Sequence, residues 1–225
     1  MRLGAIVLAG GSGERFGAPK YAVEFAGEKL IDRAVRLVTQ SCSPVVVALP
    51  AGAGWRPPDQ VEVVLGGASR GDSLSVGVRA LSDRCEIAVI HDVVRPLANQ
   101  EQLDRVVEAV RAGADVATCG WAPPDTVKLY EPDGSVTHLG RESVRLVHGP
   151  VAVRLEALIE AERVVGHLGV EETVVVEQIG GTVAIVEGDI WSHHIVTPRD
   201  VALAEAIAAT ESGNSRELRV PEDPR

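Results

Sequence analysis

A chain of 225 residues carries one sizeable core and not two, so a single domain is expected over residues 1–210. Hydrophobic residues supply 45% of it and aromatics only 3%, which leaves Val, Ala, Leu and Ile to build the core and suits a buried sheet. Twenty-two basic residues against 32 acidic ones give a net charge of −10, a field that repels polyanions and argues against nucleic acid or an anionic membrane as partner, though not against a local cationic pocket.

Short β-branched runs predict strands at Leu3–Ala9, Val45–Leu49, Val61–Leu65, Ile87–His91 and Asp115–Cys119, with helices at Ile31–Thr39, Asp72–Leu81 and Gln100–Arg111 between most of them. Such alternation means βαβ units, and hence an α/β domain with a Rossmann-like, mostly parallel sheet covered on both faces. The Gly/Pro-rich link from Pro50 to Gln60 is expected to cross without a helix. Between about 125 and 145 the pattern changes to two alternating segments, Thr126–Tyr130 and Val136–Leu139, around Glu131-Pro132-Asp133-Gly134; this predicts a β-hairpin arm projecting from the body. Beyond it Val153–Val164 reads as a helix, Val174–Gln178 as helix or strand, and Val183–Val186 as a strand. Pro198 reads as the first residue of a helix ending near Thr210. The polar stretch 211–225 reads as a disordered tail. Cys42, Cys85 and Cys119 are odd in number and scattered through apolar sequence, which predicts reduced core residues and no metal site. No apolar run approaches the ~20 residues that span a bilayer, and Arg2 leads straight into the first strand without a leader pattern, so a cytoplasmic protein is expected.

The first strand runs into Ala9-Gly10-Gly11-Ser12-Gly13-Glu14-Arg15-Phe16-Gly17-Ala18-Pro19-Lys20. Glycines at the carboxyl end of a parallel strand let backbone N–H groups close on an anion, at the place where such sheets bind nucleotides. The loop is not a Walker A loop, since it lacks Gly-Lys-Ser/Thr, nor a dinucleotide loop, since Phe16 stands where the third glycine belongs. Arg15 and Lys20 within it point to phosphate rather than to a turn that merely serves the fold. Lys20 is also one of only three lysines, in a chain whose other basic residues are arginine. A compact ammonium suits a phosphoryl group in motion.

Three further segments accompany this loop: Gly66-Gly67-Ala68-Ser69-Arg70-Gly71-Asp72-Ser73, His91-Asp92-Val93-Val94-Arg95-Pro96 and Asp125-Thr126-Val127-Lys128. In that order, from about Leu3 to Ile207, the chain resembles the 2-C-methyl-D-erythritol 4-phosphate cytidylyltransferase family, CTP-dependent enzymes of the non-mevalonate isoprenoid pathway. The resemblance implies a fold of the nucleotide-diphospho-sugar transferase type, Mg²⁺ as cofactor, and a homodimer with interlocked hairpins. It assigns the backbone of Ala9, Gly10, Gly11, Ser12 and Gly13, with Arg15 and Lys20, to the triphosphate, and Gly67, Arg70 and Ser73 to the cytidine and its ribose. It gives Asp92 the substrate and the metal, and Arg95 the alditol phosphate, with Thr126 and Arg141 reaching that phosphate in the partner subunit. Read without the resemblance, Ser73 sits in a Ser/Asp helix start and Arg141 is a solvated charge.

The resemblance weakens on the acceptor side. Gly149-Pro150-Val151 replaces the family's Thr-Pro-Gln, Val170-Glu171-Glu172 replaces Thr-Asp-Asp/Glu, and His194 stands where the family places a lysine. Two adjacent histidines, His193 and His194, would face opposite ways on a strand and make no metal pair. The acceptor is therefore expected to be 2-C-methyl-D-erythritol 4-phosphate, with ribitol 5-phosphate or a phosphonate as the alternative. A catalytically weak nucleotide-binding paralogue is the reading from another class.

Overall fold

The computed structural model describes residues 1–10, 16–169, 171–192 and 194–211. The chain forms β1 (Leu3–Leu8), a small antiparallel pair β2 (Glu24–Phe25) and β3 (Glu28–Lys29), α1 (Leu30–Val38), β4 (Val45–Leu49), β5 (Val61–Leu65), α2 (Arg70–Leu81) and β6 (Ile87–Asp92). There follow α3 (Gln100–Arg111), β7 (Val116–Trp121), β8 (Val127–Tyr130), β9 (Val136–Leu139), β10 (Leu146–Arg154), α4 (Leu155–Val165), α5 (Glu172–Gln178), β11 (Val183–Glu187) and α6 (Pro198–Glu211). Seven strands make one sheet in the order β11-β7-β10-β6-β1-β4-β5. All its pairings are parallel except those of β10, which runs antiparallel to both β6 and β7.

β10 is the main departure from the sequence reading. Val153 and Arg154, expected to open a helix, instead end this nine-residue central strand, and the helix begins at Leu155. Proline is unusual in a central strand because it donates no ladder hydrogen bond. Here the register with β7 shifts between His148 and Val151, and the irregularity absorbs Gly149 and Pro150. The ambiguous stretch at Val174 lies inside α5, a helix. As expected, β4 reaches β5 with no intervening helix.

Alternation along the strands sorts the core into two layers. On β1, Ala5 and Val7 pack with Leu30 and Ile31 of α1 and Leu103 of α3, while Ile6 and Leu8 pack with Leu74 and Val78 of α2 and Leu158 of α4. α2 and α3 each begin with a reciprocal capping box, Ser69 with Asp72 and Asn99 with Gln102, which satisfies backbone donors at the helix start. All three cysteines are buried and free. Burial pushes the Cys42 thiol up to about 12 and the Cys119 thiol up to about 11, so neither is a nucleophile.

The hairpin β8–β9 pairs only with itself and stands outside the central sheet. Leu129, Tyr130 and Val136 on it are 43%, 75% and 54% exposed. The segment that carries His194 is irregular and not a strand, so the opposite-faces reading of the two histidines does not apply. His193 lies outside the described residues, as does the expected tail beyond residue 211. Among the described residues no helix is long and apolar enough to cross a membrane.

Candidate active site

Chain order sets the position of the site. From β1 the chain moves to β4 and β5 on one side and then returns to lay β6 on the other side of β1. Ligands of such sheets bind outside the carboxyl ends of the strands at that switch point. Leu8 and Asp92, paired in register, end β1 and β6 there, and the Val93 N–H donates to the Leu8 carbonyl to turn the chain outward. A cavity of about 430 Å³ opens at this point, lined by Leu8, Gly10, Lys20, Ala68, Ser69, Arg70, Ser73, Asp92, Val93, Val94 and His194. A second of about 180 Å³ shares Arg70, Asp92 and His194 with it and continues to Arg95, His148, Glu171 and Glu172.

The wall formed by residues 66–73 is shaped by small residues. Ser73 Oγ donates to the Ser69 carbonyl at 2.9 Å and accepts from the Gly67 N–H at 3.1 Å, which closes the loop onto the start of α2. A Cβ on Gly67 would lie 2.2 Å from Asp72 Cβ, and one on Gly71 would lie 2.4 Å from the Leu168 carbonyl oxygen. Neither position has room for a side chain, Gly67 against the first residues of α2 and Gly71 against the Leu168 backbone. Gly67 lines a different cavity, of about 240 Å³, behind this loop.

Arg70 is the central cation. Its Nε and Nη2 donate to the two Asp92 oxygens at 3.2 and 3.0 Å, and its Nη1 lies 2.8 Å from Glu172 Oε1. Burial of Arg70 opposes its charge, but the Glu172 and Asp92 carboxylates outweigh that and raise its pKa. Burial raises the Glu172 carboxyl pKa, and Arg70 only partly offsets the effect.

The far wall is formed by residues 188–192 with 194 and 195, stitched down at several points. The Gly188 N–H donates to the Gly120 carbonyl, and the Asp189 N–H donates to His148 Nε2 at 3.2 Å while His148 Nδ1 faces the Gly149 carbonyl at 2.8 Å. Arg95 Nη1 donates to the Ser192 carbonyl at 2.9 Å, Lys20 Nζ to the Ile195 carbonyl at 3.1 Å, and the Ile195 N–H to the Val94 carbonyl at 2.9 Å. His194, exposed, is thus held between two anchored residues and lines both cavities.

His91, the residue before the end of β6, faces the buried side. Desolvation takes its pKa down to about 4, with Asp92 opposing and Arg95 assisting, so the ring is neutral near pH 7. An unfolded chain protonates this ring near ~6.5. The folded state therefore binds fewer protons than the unfolded one once pH falls below that value, and stability is lost as pH drops from ~6.5 toward about 4. The expected loss approaches ~3 kcal/mol. Denaturant midpoints between pH 7 and 4 for the wild type and His91→Phe should show a shallower acid slope in the variant; equal slopes would remove His91 from acid lability.

Of the sequence-predicted residues, Gly10, Lys20, Arg70, Ser73, Asp92 and His194 meet in the larger cavity, and Arg95 joins in the smaller. Ala9 packs into the core, its side chain only 1% exposed, so only its backbone is near the loop. Gly11, Ser12, Gly13 and Arg15 lie outside the described residues. Thr126 and Arg141 line neither cavity; Arg141 Nη1 donates to the Pro124 carbonyl at 2.7 Å at the base of the arm. Glu172 and His148 are site residues that sequence reasoning missed. Nothing local marks either one: burial of the first depends on α5 docking, and placement of the second on the β10 irregularity.

A crevice at a switch point takes a nucleotide, and cations around carboxylates already tied to arginine suit phosphoryl chemistry done by positioning and charge rather than by a base. This is the plan of a nucleotidyltransferase. The sequence pattern of the 2-C-methyl-D-erythritol 4-phosphate cytidylyltransferases matches residues 3–210. An enzyme of that name from Streptomyces avermitilis is 32% identical over 230 residues, covering 92% of each chain. A bifunctional IspD/IspF enzyme from Anaeromyxobacter sp. is 36% identical over 224 residues, which are 92% of this chain and 57% of that longer relative. The crystal structure of the Thermus thermophilus enzyme of the same name as the Streptomyces one superposes with a TM-score of 0.77 at 30% identity, covering 92% of this chain and 99% of that one. The chain belongs to the 2-C-methyl-D-erythritol 4-phosphate cytidylyltransferase family, CTP-dependent transferases of isoprenoid biosynthesis.

Proposed function

We propose that this chain joins CTP to 2-C-methyl-D-erythritol 4-phosphate with Lys20 and Arg15 on the triphosphate and Arg95 and His194 on the acceptor phosphate, and that it works as a cytoplasmic homodimer whose arms lend Thr126 and Arg141 to the partner's site. The observation that supports this most is the pair of adjoining cavities that share Arg70, Asp92 and His194, one with Lys20 and the other with Arg95. Two anionic substrates can meet there. An acceptor phosphate oxygen attacks the α-phosphorus of CTP, and the bond to the bridging oxygen breaks to release pyrophosphate. A phosphomonoester is already anionic near neutral pH, its second pKa being ~6, so no protein base is required.

Among the described residues no cluster of three His, Cys, Asp or Glu side chains could cage a metal ion. A single half-buried carboxylate opening into a nucleotide crevice does fit Mg²⁺, which is commonly held by one or two carboxylates together with substrate phosphates. Asp92 would be that ligand, and Mg²⁺ when bound would neutralise triphosphate oxygens.

Pyrophosphate release with CTP and a panel of alditol phosphates tests the acceptor. Turnover should be highest with 2-C-methyl-D-erythritol 4-phosphate; preference for ribitol 5-phosphate or a phosphonate would overturn that choice, and no turnover with any acceptor would favour the weak paralogue. A second expectation concerns His194. Lysine there carries a permanent charge, whereas imidazole loses its own near ~6.5. The acceptor KM should rise with pH in wild type while the CTP KM stays level, His194→Lys should flatten that rise, and His194→Ala should raise the acceptor KM throughout. An unchanged acceptor profile in the alanine variant would leave His194 structural.

A further inference from the structure

Glu172 has no exposed side-chain surface, and its counter-ion is Arg70 at 2.8 Å. Apart from that ion pair, neither of its oxygens has a hydrogen-bond partner among the described residues. A carboxylate this buried gains little from solvent, and parting it from its cation leaves a poorly compensated buried charge. Asp92 is different. Its side chain is 23% exposed and opens to the larger cavity, so solvent or ligand can replace Arg70 there. One guanidinium thus serves two carboxylates with unequal alternatives: Asp92 takes two of its hydrogen bonds but can exchange them for solvent or ligand, while Glu172 has less to replace it with.

We infer that Glu172 is a positioning residue that retains Arg70 as its own counter-ion and so leaves the Asp92 carboxylate available to a divalent cation carried in by the nucleotide. The inference rests on the metal role proposed above for Asp92. Charge counting gives it a definite form. With Glu172 ionised as the counter-ion of Arg70, the three groups Asp92, Arg70 and Glu172 together carry one net negative charge. With glutamine at 172 the sum is zero, Arg70 has only Asp92 to bind, and the crevice opposes a cation twice over, by lost attraction and by competition for Asp92. With glutamine at both 70 and 172 the sum returns to one negative charge, and the competitor is gone.

The test compares CTP binding by calorimetry, without acceptor, in the presence of EDTA and of Mn²⁺. The readout is the factor by which Mn²⁺ tightens CTP binding, so any loss of cytidine contacts caused by changing Arg70 enters both measurements and cancels. Wild type should show clear tightening. Glu172→Gln should lose about tenfold or more of it, the scale of one charge removed a few ångströms from a divalent cation in a half-buried site. The Arg70→Gln/Glu172→Gln double variant should regain it to within about threefold of wild type. If wild type shows no tightening, the metal role of Asp92 fails and the inference fails with it. If wild type tightens and Glu172→Gln stays within about twofold, the metal role stands and the inference is overturned. Loss in the single variant without recovery in the double also overturns it, because Glu172 then acts by placing α5. Should the single variant not fold, the double variant decides alone, since removing both members of a buried ion pair is commonly tolerated: recovery supports the inference and failure to recover overturns it.

Discussion

Lys20→Ala is expected to lower kcat by about 100-fold or more, the scale for losing one donor aimed at developing charge, or about 2.7 kcal/mol of transition-state stabilisation. Pro19 fixes the chain ahead of Lys20, which opens a single helical turn over Lys20–Ala22 and lines the larger cavity. Its Nζ donates to the Ile195 carbonyl at 3.1 Å, a contact that orients the ammonium. That contact also ties the Lys20 side of the crevice to the segment bearing His194. Alanine therefore removes a charge and loosens a wall, so KM for both substrates should rise. Lys20→Arg should recover only part of the rate: the charge is kept, but a planar fork does not reproduce a compact ammonium. A kcat within about threefold of wild type in folded Lys20→Ala would take this residue out of the chemistry.

What the sequence disclosed follows the reach of each physical signal. Parallel strands such as β1 and β4 were legible because β-branched runs buried on both faces have few other uses. Lys20 and Asp92 were legible because glycine loops and strand ends mark the binding edge of such a sheet before any contact is known. β10 was not, since Gly149-Pro150 reads as a break and only the pairing of its flanks with β6 and β7 makes a strand of it. α5 was ambiguous because Val174-Val175-Val176 suits strand or helix, and Val175 and Val176 settle the matter by packing into the same core layer as Leu158 of α4. The loop 67–73 was read as a nucleotide wall, yet the partner that fixes Arg70 arrives from Glu172, the last residue of a segment noted only for the hydroxyl lost at Val170. Long-range ion pairs leave no periodic trace. They must be seen in place.

Mixing Arg141→Ala chains with Lys20→Ala chains should restore activity that neither homodimer has. The expectation follows from the arm. β8 and β9 pair only with each other, and Leu129, Tyr130 and Val136 stay exposed on them, an arrangement a lone hairpin seldom sustains in water. Arg141, at the base of that arm, lines neither cavity of its own chain, while Lys20 lines the larger. Where two arms interlock about a two-fold axis, each site would take Lys20 from one chain and Arg141 from the other. A mixed dimer then holds one site with both residues intact and one with both lost. Random pairing of equal amounts makes half the dimers mixed, so recovery should approach about a quarter of wild-type activity, well above the sum of the parents. If Lys20 and Arg141 instead served the same chain's site, every site in every dimer would lack one of them and mixing would restore nothing. Sedimentation belongs beside the kinetics: a fully active monomer would end the shared-site reading whatever the mixing showed.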